Sequence, residues 1–251
     1  MYDDRGLSRY VLSPEASARV GNPVDDVMLK RLAYYYEYDF KGRQVIKRLP
    51  GCDPVYMVYD KRDRLVLSQD GKQRDQNADK WSYSLYDNQN RVVETGEAII
   101  GGNIKTHEGL QDTANASENY VPPGNRTALQ YTLYDTYTAT TNVPVHPFVA
   151  ANSYVTDYFR LVTGLVTSVR TKVLETGVWL TTTTYYDDRC RVIQTISDNL
   201  QGQKSRVDFK YDFAGNVLRY RESHSINASQ TDVVETENLY DDRGRLLSST
   251  V

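Results

Sequence analysis

The sequence predicts an all-β protein built from tandem antiparallel β-hairpins that lie side by side in a curved, spiralling sheet. Turn-forming residues follow a Tyr-Asp pair at fixed offsets, and β-branched or aromatic residues flank the pair on both sides. Tyrosine outnumbers phenylalanine by 21 to 5, which suits pleated surfaces that are only half buried. The pair occurs eight times, beginning at Tyr2, Tyr38, Tyr59, Tyr86, Tyr134, Tyr186, Tyr211 and Tyr240.

Each pair predicts a strand, a four-residue turn and a second strand, so the copies form an internal repeat. Asp favours the first position of a type I turn, where its carboxylate accepts a hydrogen bond from the backbone N–H two residues on. Three residues after Asp the chain needs a positive φ to rejoin a twisted hairpin, and glycine adopts it without penalty. Asp63 and Asn90 are suitable substitutes, whereas Cys190 is not. Strain or an altered turn is therefore expected at Cys190.

An Arg follows the positive-φ position in five copies and has two interpretations. It could form a ligand-binding row, but an ion pair to the Asp of its own turn or of a neighbouring hairpin is favoured. The Tyr could stack on sugars, but packing against the Tyr of the next hairpin, worth roughly 0.2–1 kcal/mol per pair, is favoured. The predicted repeat-turn residues are Tyr2, Asp3, Gly6, Tyr38, Asp39, Gly42, Arg43, Tyr59, Asp60, Asp63, Arg64, Tyr86, Asp87, Asn90, Arg91, Tyr186, Asp187, Arg191, Tyr211, Asp212, Gly215, Tyr240, Asp241, Gly244 and Arg245.

We expect one Tyr-Asp-repeat β domain, residues 1–251, with an irregular insertion at about residues 97–163. The insertion contains Pro122-Pro123-Gly124, and insertions in repeat proteins usually become surface loops. The alternative is that it covers an opening or an open sheet edge. Tyr134-Asp135 lies inside it without the downstream Gly and Arg, so we interpret it as a degenerate copy.

One short helix is expected near residues 23–33. Asn22 is a good N-cap, and Pro23 suits the first helical position. Val27 and Met28 belong to an apolar stripe at helical spacing, which favours core packing over a partner site.

The Tyr-Asp-x-x-Gly-Arg-apolar unit, as in YDDRGRLLS from Tyr240, resembles the Rhs/YD-repeat family. That family includes bacterial Rhs proteins, insecticidal toxin-complex subunits and animal teneurins. Longer stretches, from Leu49 to Gly71 and from Trp179 to Asp198, resemble the large bacterial Rhs proteins. The resemblance implies a long β-sheet spiral that closes into a hollow shell, and in toxin-bearing members the shell encloses a C-terminal effector until delivery.

The chain departs from a full member of that family in several ways. We identify no effector after Val251, no shell-closing region and no N-terminal delivery domain. Eight motifs are also too few for a closed shell. The chain is therefore expected to be a segment of shell wall, cut from a longer secreted or cell-surface protein. Its first residues lack the basic and apolar parts of a signal peptide.

Composition argues against several kinds of site. A formal net charge of −3 without a basic stripe does not favour nucleic acid, and no apolar run is long enough to span a membrane. Cys52 and Cys190 are expected to be unpaired. His107, His146 and His224 have no His or Cys at metal-ligand spacing, so no metal or cofactor is expected. The two histidines inside the insertion are expected at the surface.

The favoured function is structural and not enzymatic, because turns account for the repeated carboxylates. The alternative is a carbohydrate- or cell-surface-binding module in which Trp81 and Trp179 stack on sugar rings. The expected partners are flanking repeats and a C-terminal effector of the parent chain, and further copies that pair through open sheet edges.

Overall fold

The computed structural model describes residues 1–18, 26–76, 79–101, 106–151, 153–227 and 230–251. Within these ranges the chain forms short helices and many strands. The helices are α1 (Pro14–Ala18), α2 (Asp26–Leu32), α3 (Gly71–Gln76) and α4 (His107–Asn115). The strands are β1 (Tyr10–Leu12), β2 (Ala33–Tyr38), β3 (Gln44–Arg48), β4 (Val55–Tyr59), β5 (Leu65–Gln69), β6 (Lys80–Tyr86), β7 (Val92–Ile99), β8 (Asn125–Tyr134), β9 (Val166–Lys172), β10 (Trp179–Tyr186), β11 (Val192–Asp198), β12 (Lys204–Tyr211), β13 (Val217–Asn227), β14 (Gln230–Tyr240) and β15 (Leu246–Thr250).

The strands lie in the sheet in chain order, each hydrogen-bonded to its sequence neighbours. The pairings from β1 to β7 and from β8 to β15 are antiparallel. The predicted fold class, tandem antiparallel hairpins in an all-β protein, is confirmed.

The Tyr-Asp hairpins share one register. The Tyr pairs with the residue six positions later, and the register shifts just before the Tyr, as at Tyr38↔Gln44 and Tyr211↔Val217. A four-residue turn with one extra residue on one strand is a type I turn followed by a bulge. The pair therefore marks the point at which the chain reverses between neighbouring strands.

The chain divides into two compact units, Met1–Ala128 and Leu129–Val251. Each has a small core between the sheet and a segment that leaves it. The core of the first unit consists of Val58, Val66, Leu67, Trp81, Tyr83, Ala98, Ile100, Leu110, Ala114 and Tyr120. In the second unit, the core consists of Tyr185, Ile193 and Ile196, packed against Tyr137, Phe148, Val155, Tyr158 and Tyr211.

The expected helix is present as α2, although Asn22 and Pro23 lie outside the described residues. Val27 was expected to pack on the core but is 64% exposed, because only the Met28 side of this two-turn helix faces the protein. The other three helices were not predicted. All three begin at N-cap residues. The Ser13 hydroxyl accepts the N–H of Ala16 before α1, the Asp70 carboxylate accepts the N–H of Gln73 before α3, and the Thr106 hydroxyl accepts the N–H of Gly109 before α4.

Gly96 in β7 marks a close approach between two strands. A Cβ atom placed on Gly96 would lie 2.2 Å from the carbonyl oxygen of Thr127 in β8. Because that oxygen belongs to the backbone, it cannot move aside as a flexible side chain would.

We therefore predict that Gly96→Ala lowers the free energy of unfolding by about 1–3 kcal/mol, the usual penalty of overpacking. Urea denaturation followed by circular dichroism measures it. Gly101→Ala is the matched control, since its Cβ would meet nothing closer than 3.8 Å. Equal stability of the two variants would contradict the close approach of β7 and β8 at Gly96.

Candidate functional site: the Tyr-Asp turns and their junctions

The turn aspartates hold the backbone of their own turns. One carboxylate oxygen of Asp60 accepts the N–H of Arg62 at 2.9 Å and the N–H of Arg64 at 3.0 Å. The Asp60 N–H donates to the Arg64 carbonyl, and the Asp60 carbonyl accepts the N–H of Asp63. The same four bonds form in the turns at Asp3, Asp39, Asp87, Asp187 and Asp241.

The third residue after each of these aspartates, and after Asp212, has a positive φ. The angles are 78° at Gly6, 80° at Gly42, 61° at Asp63, 64° at Asn90, 60° at Cys190, 100° at Gly215 and 73° at Gly244. The Cys190 turn keeps the same backbone bonds as the others. Of the two expectations for Cys190, the turn is therefore unaltered, and the cysteine carries the left-handed conformation itself.

The Arg of each turn crosses back to its own Asp. The Nε–Oδ2 distances are 2.6–2.8 Å for Arg43–Asp39, Arg64–Asp60, Arg91–Asp87, Arg191–Asp187 and Arg245–Asp241. In the turn at Asp212, the Asn216 amide takes this position at 2.7 Å. Burial varies widely, since the Arg64 side chain is 7% exposed and that of Arg245 is 73% exposed.

The same guanidinium also reaches the next hairpin. Arg43 donates to the carbonyl of Asp60 at 3.0 Å, and its guanidinium carbon lies 5.1 Å from the centre of the Tyr59 ring. Arg191 repeats this arrangement with Asp212 at 3.0 Å and Tyr211 at 4.7 Å. Arg64 forms the same two contacts with Asp87 and Tyr86. One side chain therefore closes its own turn and fastens the following one.

The Tyr completes the junction from the other side. Its hydroxyl donates to the carbonyl of the residue that follows the preceding hairpin's turn. The pairs are Tyr59–Gln44, Tyr86–Leu65, Tyr186–Val166, Tyr211–Val192 and Tyr240–Val217, at 2.7–3.1 Å. At Tyr59, Tyr86 and Tyr211 the ring contacts the preceding Arg. The expected stacking of Tyr on Tyr is wrong at these three junctions, because the Arg occupies the ring face.

A second basic contact joins the turns, and sequence reasoning missed it. The Arg two residues after Asp donates to the carbonyl of the residue after the next Asp. The pairs are Arg5–Phe40, Arg62–Asn88 and Arg189–Phe213. The signal in the sequence was the basic residue that recurs between the Asp and the positive-φ position.

The surroundings of the repeated Tyr and Asp side chains shift the pKa values of both. Burial raises the pKa of the Tyr59, Tyr86 and Tyr211 phenols. The backbone N–H of Leu7 lowers the pKa of Asp3, and the backbone N–H of Arg245 lowers that of Asp241. The fold therefore favours the neutral phenol as a donor and the ionised carboxylate as an acceptor.

Tyr134-Asp135 opens a hairpin whose turn contains a long insertion. The Asp135 N–H donates to the Leu165 carbonyl at 3.1 Å, and the Asp135 carboxylate accepts the N–H of Gly164 at 2.6 Å. Tyr134 pairs with Val166, just as other Tyr residues pair six positions on. Gly164 and Leu165 thus replace the Gly and Arg that the sequence lacks directly after Asp135. The insertion predicted at about residues 97–163 contains a regular strand, β8, and only its last part, residues 136–163, forms the loop of this hairpin, which we call the strap.

The strap lies on the sheet of the second unit instead of forming the expected plain surface loop. The Val149 N–H donates to the Gln194 side-chain oxygen at 2.9 Å, and the Gln194 amide donates back to the Val149 carbonyl at 2.8 Å. Tyr137 stacks on Tyr185 with ring centres 4.6 Å apart. The strap therefore supplies part of the core of this unit.

In the first unit, α4 and the residues that follow it as far as Ser117 contact the strands and turns of the sheet, and we call this stretch the α4 segment. The Gln111 side chain accepts the N–H of Tyr59 at 3.0 Å and donates to the Tyr59 carbonyl at 2.7 Å. Asn115 accepts a hydrogen bond from Arg43 at 2.8 Å, and Ser117 accepts one from the Lys61 backbone. This segment therefore braces the two consecutive turns that contain Arg43 and Arg64.

The tryptophans considered for sugar binding, and two of the histidines, pack against other residues of the protein. Trp81 is 1% exposed in the core of the first unit, so the prediction that it stacks on a sugar is wrong. Trp179 is half-buried, with the Tyr131 ring 5.4 Å away and the Arg170 guanidinium 4.9 Å away. His146 is also buried, against expectation, and its Nε2 lies 3.1 Å from Asp198. His107 stacks on Tyr56.

The described part of the chain contains no cluster of three or more His, Cys, Asp or Glu residues able to hold a metal ion. Cys52 and Cys190 are free and exposed. None of the helices described is long and apolar enough to cross a membrane.

Comparisons with known proteins identify the fold. No protein-family model matches the chain, and no curated protein matches it. A crystal structure of TcdB2-TccC3-Cdc42 matches with a TM-score of 0.51 and 11% sequence identity, over 99% of this chain and 11% of the other. A crystal structure of TcdB2-TccC3-TEV matches with a TM-score of 0.42 and 11% sequence identity, over 99% of this chain and 12% of the other. The first match supports a fold of the Rhs/toxin-complex type, and the chain spans about a tenth of that longer protein.

We predict that Arg64→Ala lowers the free energy of unfolding by about 3–5 kcal/mol, because it leaves the fully buried Asp60 carboxylate without its cation. Arg245→Ala removes the equivalent residue at an exposed turn and should cost less than about 1 kcal/mol. Chemical denaturation of both variants measures the difference. Similar losses of unfolding free energy in the two variants would show that burial of the Arg–Asp ion pair does not determine its contribution to stability.

Cys190→Gly should stabilise the protein by about 1 kcal/mol, because glycine adopts the left-handed conformation without the steric cost of a Cβ. Cys190→Ala keeps the Cβ and serves as the control, with little expected change. The shift in the denaturation midpoint measures both. A destabilised glycine variant would mean that the thiol makes a contact worth more than the strain.

The turn carboxylates also predict an acid-labile fold. The pKa values of Asp3, Asp212 and Asp241 are lowered, the second by the Asn216 amide and the others by backbone N–H groups. A lowered pKa stabilises the fold fully above the unfolded value of about 3.9, and this stabilisation is lost as the pH falls toward the folded values. The denaturation midpoint should therefore fall between pH 5 and pH 3. Asp241→Asn should make the denaturation midpoint depend less on pH. A midpoint independent of pH in the wild-type protein would contradict a stabilising role of the ionised turn carboxylates.

Proposed function

We propose that this chain is a structural segment of wall in a larger Rhs-type β-shell and performs no chemistry of its own. The observation that carries the proposal is the junction formed by Arg, Asp and Tyr. The repeated polar residues bind their own turn or the adjacent hairpin, as Arg43 and Arg191 do. Such a junction can be repeated without limit along a chain, which is what a continuous wall requires.

The fold match supports the same proposal at the level of architecture. It covers nearly the whole of this chain but only 11% of the longer chain, as expected for one stretch of a larger assembly. We propose that the parent is a secreted or cell-surface protein and that its shell encloses a C-terminal effector. The partners of this segment are then the flanking repeats, the effector, and further copies that pair through open sheet edges.

Electron cryo-microscopy of the full-length parent protein tests the proposal. The expected result is a closed wall that contains these hairpins and surrounds a lumen with density for the C-terminal region. The residues of this segment should lie within the wall. Their appearance as an appended domain outside any enclosed volume would overturn the proposal, as would a parent protein without a lumen.

Limited proteolysis of the parent gives an independent readout. The C-terminal region should resist protease in the wild-type protein and become accessible in the Arg64→Ala variant, whose wall is weakened at a buried junction. Arg245→Ala is the control, since its side chain is exposed and should leave protection unchanged. Equal cleavage of the C-terminal region in all three proteins would contradict an enclosing role.

A further inference from the structure

A cavity of about 460 Å³ lies in the first unit, at the end of β3 that points away from the turn at Asp39. Its walls are the last turn of α2, the end of β3 and residues 51–54, which lead into β4. A cavity of this size accommodates a small molecule. Because β3 is paired on both sides, with β2 and β4, the cavity is not part of an open sheet edge.

Three cationic side chains line this cavity, which we call the basic cavity. Lys30 and Arg31 come from the last turn of α2, and Arg48 is the last residue of β3. None of the three forms an ion pair within the part of the chain that the structure describes. Asp53 also lines the cavity, so its charged side chains are three cations and one carboxylate, with a net charge of +2.

The Arg48 guanidinium is held in place while its hydrogen-bond donors remain unused. Its central carbon lies 5.2 Å from the centre of the Tyr35 ring. Its Nε is buried and has no hydrogen-bond partner among the described residues. A guanidinium that stacks on a ring keeps its planar fork of N–H donors for an acceptor, and phosphate oxygens match the geometry of that fork.

The fold itself does not neutralise the three cations. Cations in the last turn of a helix interact favourably with its dipole, which accounts for Lys30 and Arg31 but not for Arg48 on its strand. The Asp53 carboxylate lies against α3, since a Cβ placed on Gly71 would lie 2.8 Å from one of its oxygens. Three like charges around one cavity repel one another, and a bound anion removes that repulsion.

Hydrogen bonds fix the loop that forms one wall of the basic cavity. The Gly51 N–H donates to the Lys30 carbonyl at 2.9 Å, which joins the loop to α2. The Arg74 guanidinium donates to the Pro54 carbonyl, which joins the same loop to α3. The cavity is therefore formed before a ligand enters, and little ordering of the chain opposes binding.

We propose that the basic cavity binds a small molecule through a phosphate group. A phosphate monoester carries a charge of about −1.5 to −2 at neutral pH, which complements the net charge of the cavity. Arg48 donates to the phosphate oxygens, and the exposed Lys30 and Arg31 add positive charge at the entrance. The proposal is independent of the proposed role in a shell wall, which requires no ligand.

Calorimetric titration of the 251-residue chain with inorganic phosphate tests the proposal. We expect saturable binding at one site, weakened by added sodium chloride because salt screens the cations. Arg48→Ala should weaken binding at least about tenfold, the usual effect of losing a charge-assisted hydrogen bond. Lys30→Gln changes an exposed side chain, so it should keep the fold intact and weaken binding about threefold.

Two further variants separate this site from a general attraction of anions. Lys210→Gln removes one charge from an exposed position of β12 in the second unit and should leave the phosphate affinity unchanged. Asp53→Asn removes the carboxylate of the cavity and should strengthen binding about threefold. Absence of saturable binding would overturn the proposal, as would equal losses of affinity in Lys210→Gln and Lys30→Gln.

The two free cysteines locate the bound phosphate. Cys52 lines the basic cavity, whereas Cys190 lies in a turn of the second unit. Phosphate should slow the alkylation of Cys52 by iodoacetamide at least about twofold, because a neighbouring anion disfavours the thiolate, and should not affect Cys190. Peptide mass spectrometry measures both rates in one sample. An unchanged rate at Cys52 would place the bound phosphate elsewhere and overturn the proposal.

Discussion

The contact on which the fold depends is that of one guanidinium with two consecutive turns. Arg43 closes its own turn through Asp39 and fastens the next through the carbonyl of Asp60 and the ring of Tyr59. Arg is suited to this task because its planar fork donates in several fixed directions and also stacks on aromatic rings. The hydroxyl of the same Tyr donates back to the earlier hairpin, so each junction is held from both sides.

This arrangement explains how a sheet with small cores can be stable. Strand pairing alone leaves the ends of neighbouring hairpins free to separate, since turns are exposed and carry few apolar contacts. The junctions hold those ends together with charge-assisted hydrogen bonds, which are stronger than neutral ones. The α4 segment and the strap add apolar burial where the sheet face would otherwise be open. In both places a glutamine side chain, Gln111 or Gln194, binds the N–H and C=O of a single residue.

The fold class could be read from the sequence because turn chemistry is local. The offsets from Asp to the positive-φ residue and then to Arg depend only on the conformation of a few residues. The junctions were harder to foresee, since nothing in a single unit says which neighbour its Arg reaches. Tyr134-Asp135 was identified as a degenerate copy, but the second half of its hairpin could not be located for the same reason, because Gly164 follows the whole strap. Burial of Trp81 also depends on distant residues, so no local pattern around Trp81 indicates it.

A double-mutant cycle between Arg191 and Tyr211 tests the junction most directly, because these residues belong to consecutive hairpins and their contact is 4.7 Å long. The cycle uses Arg191→Ala, Tyr211→Leu and the double variant, with the free energy of unfolding as the readout. We expect a coupling of about 0.5–2 kcal/mol, whereas a cycle between Arg191 and Tyr240 should show none beyond error. Additive losses at Arg191 and Tyr211 would contradict the claim that the Arg of one hairpin holds the Tyr of the next.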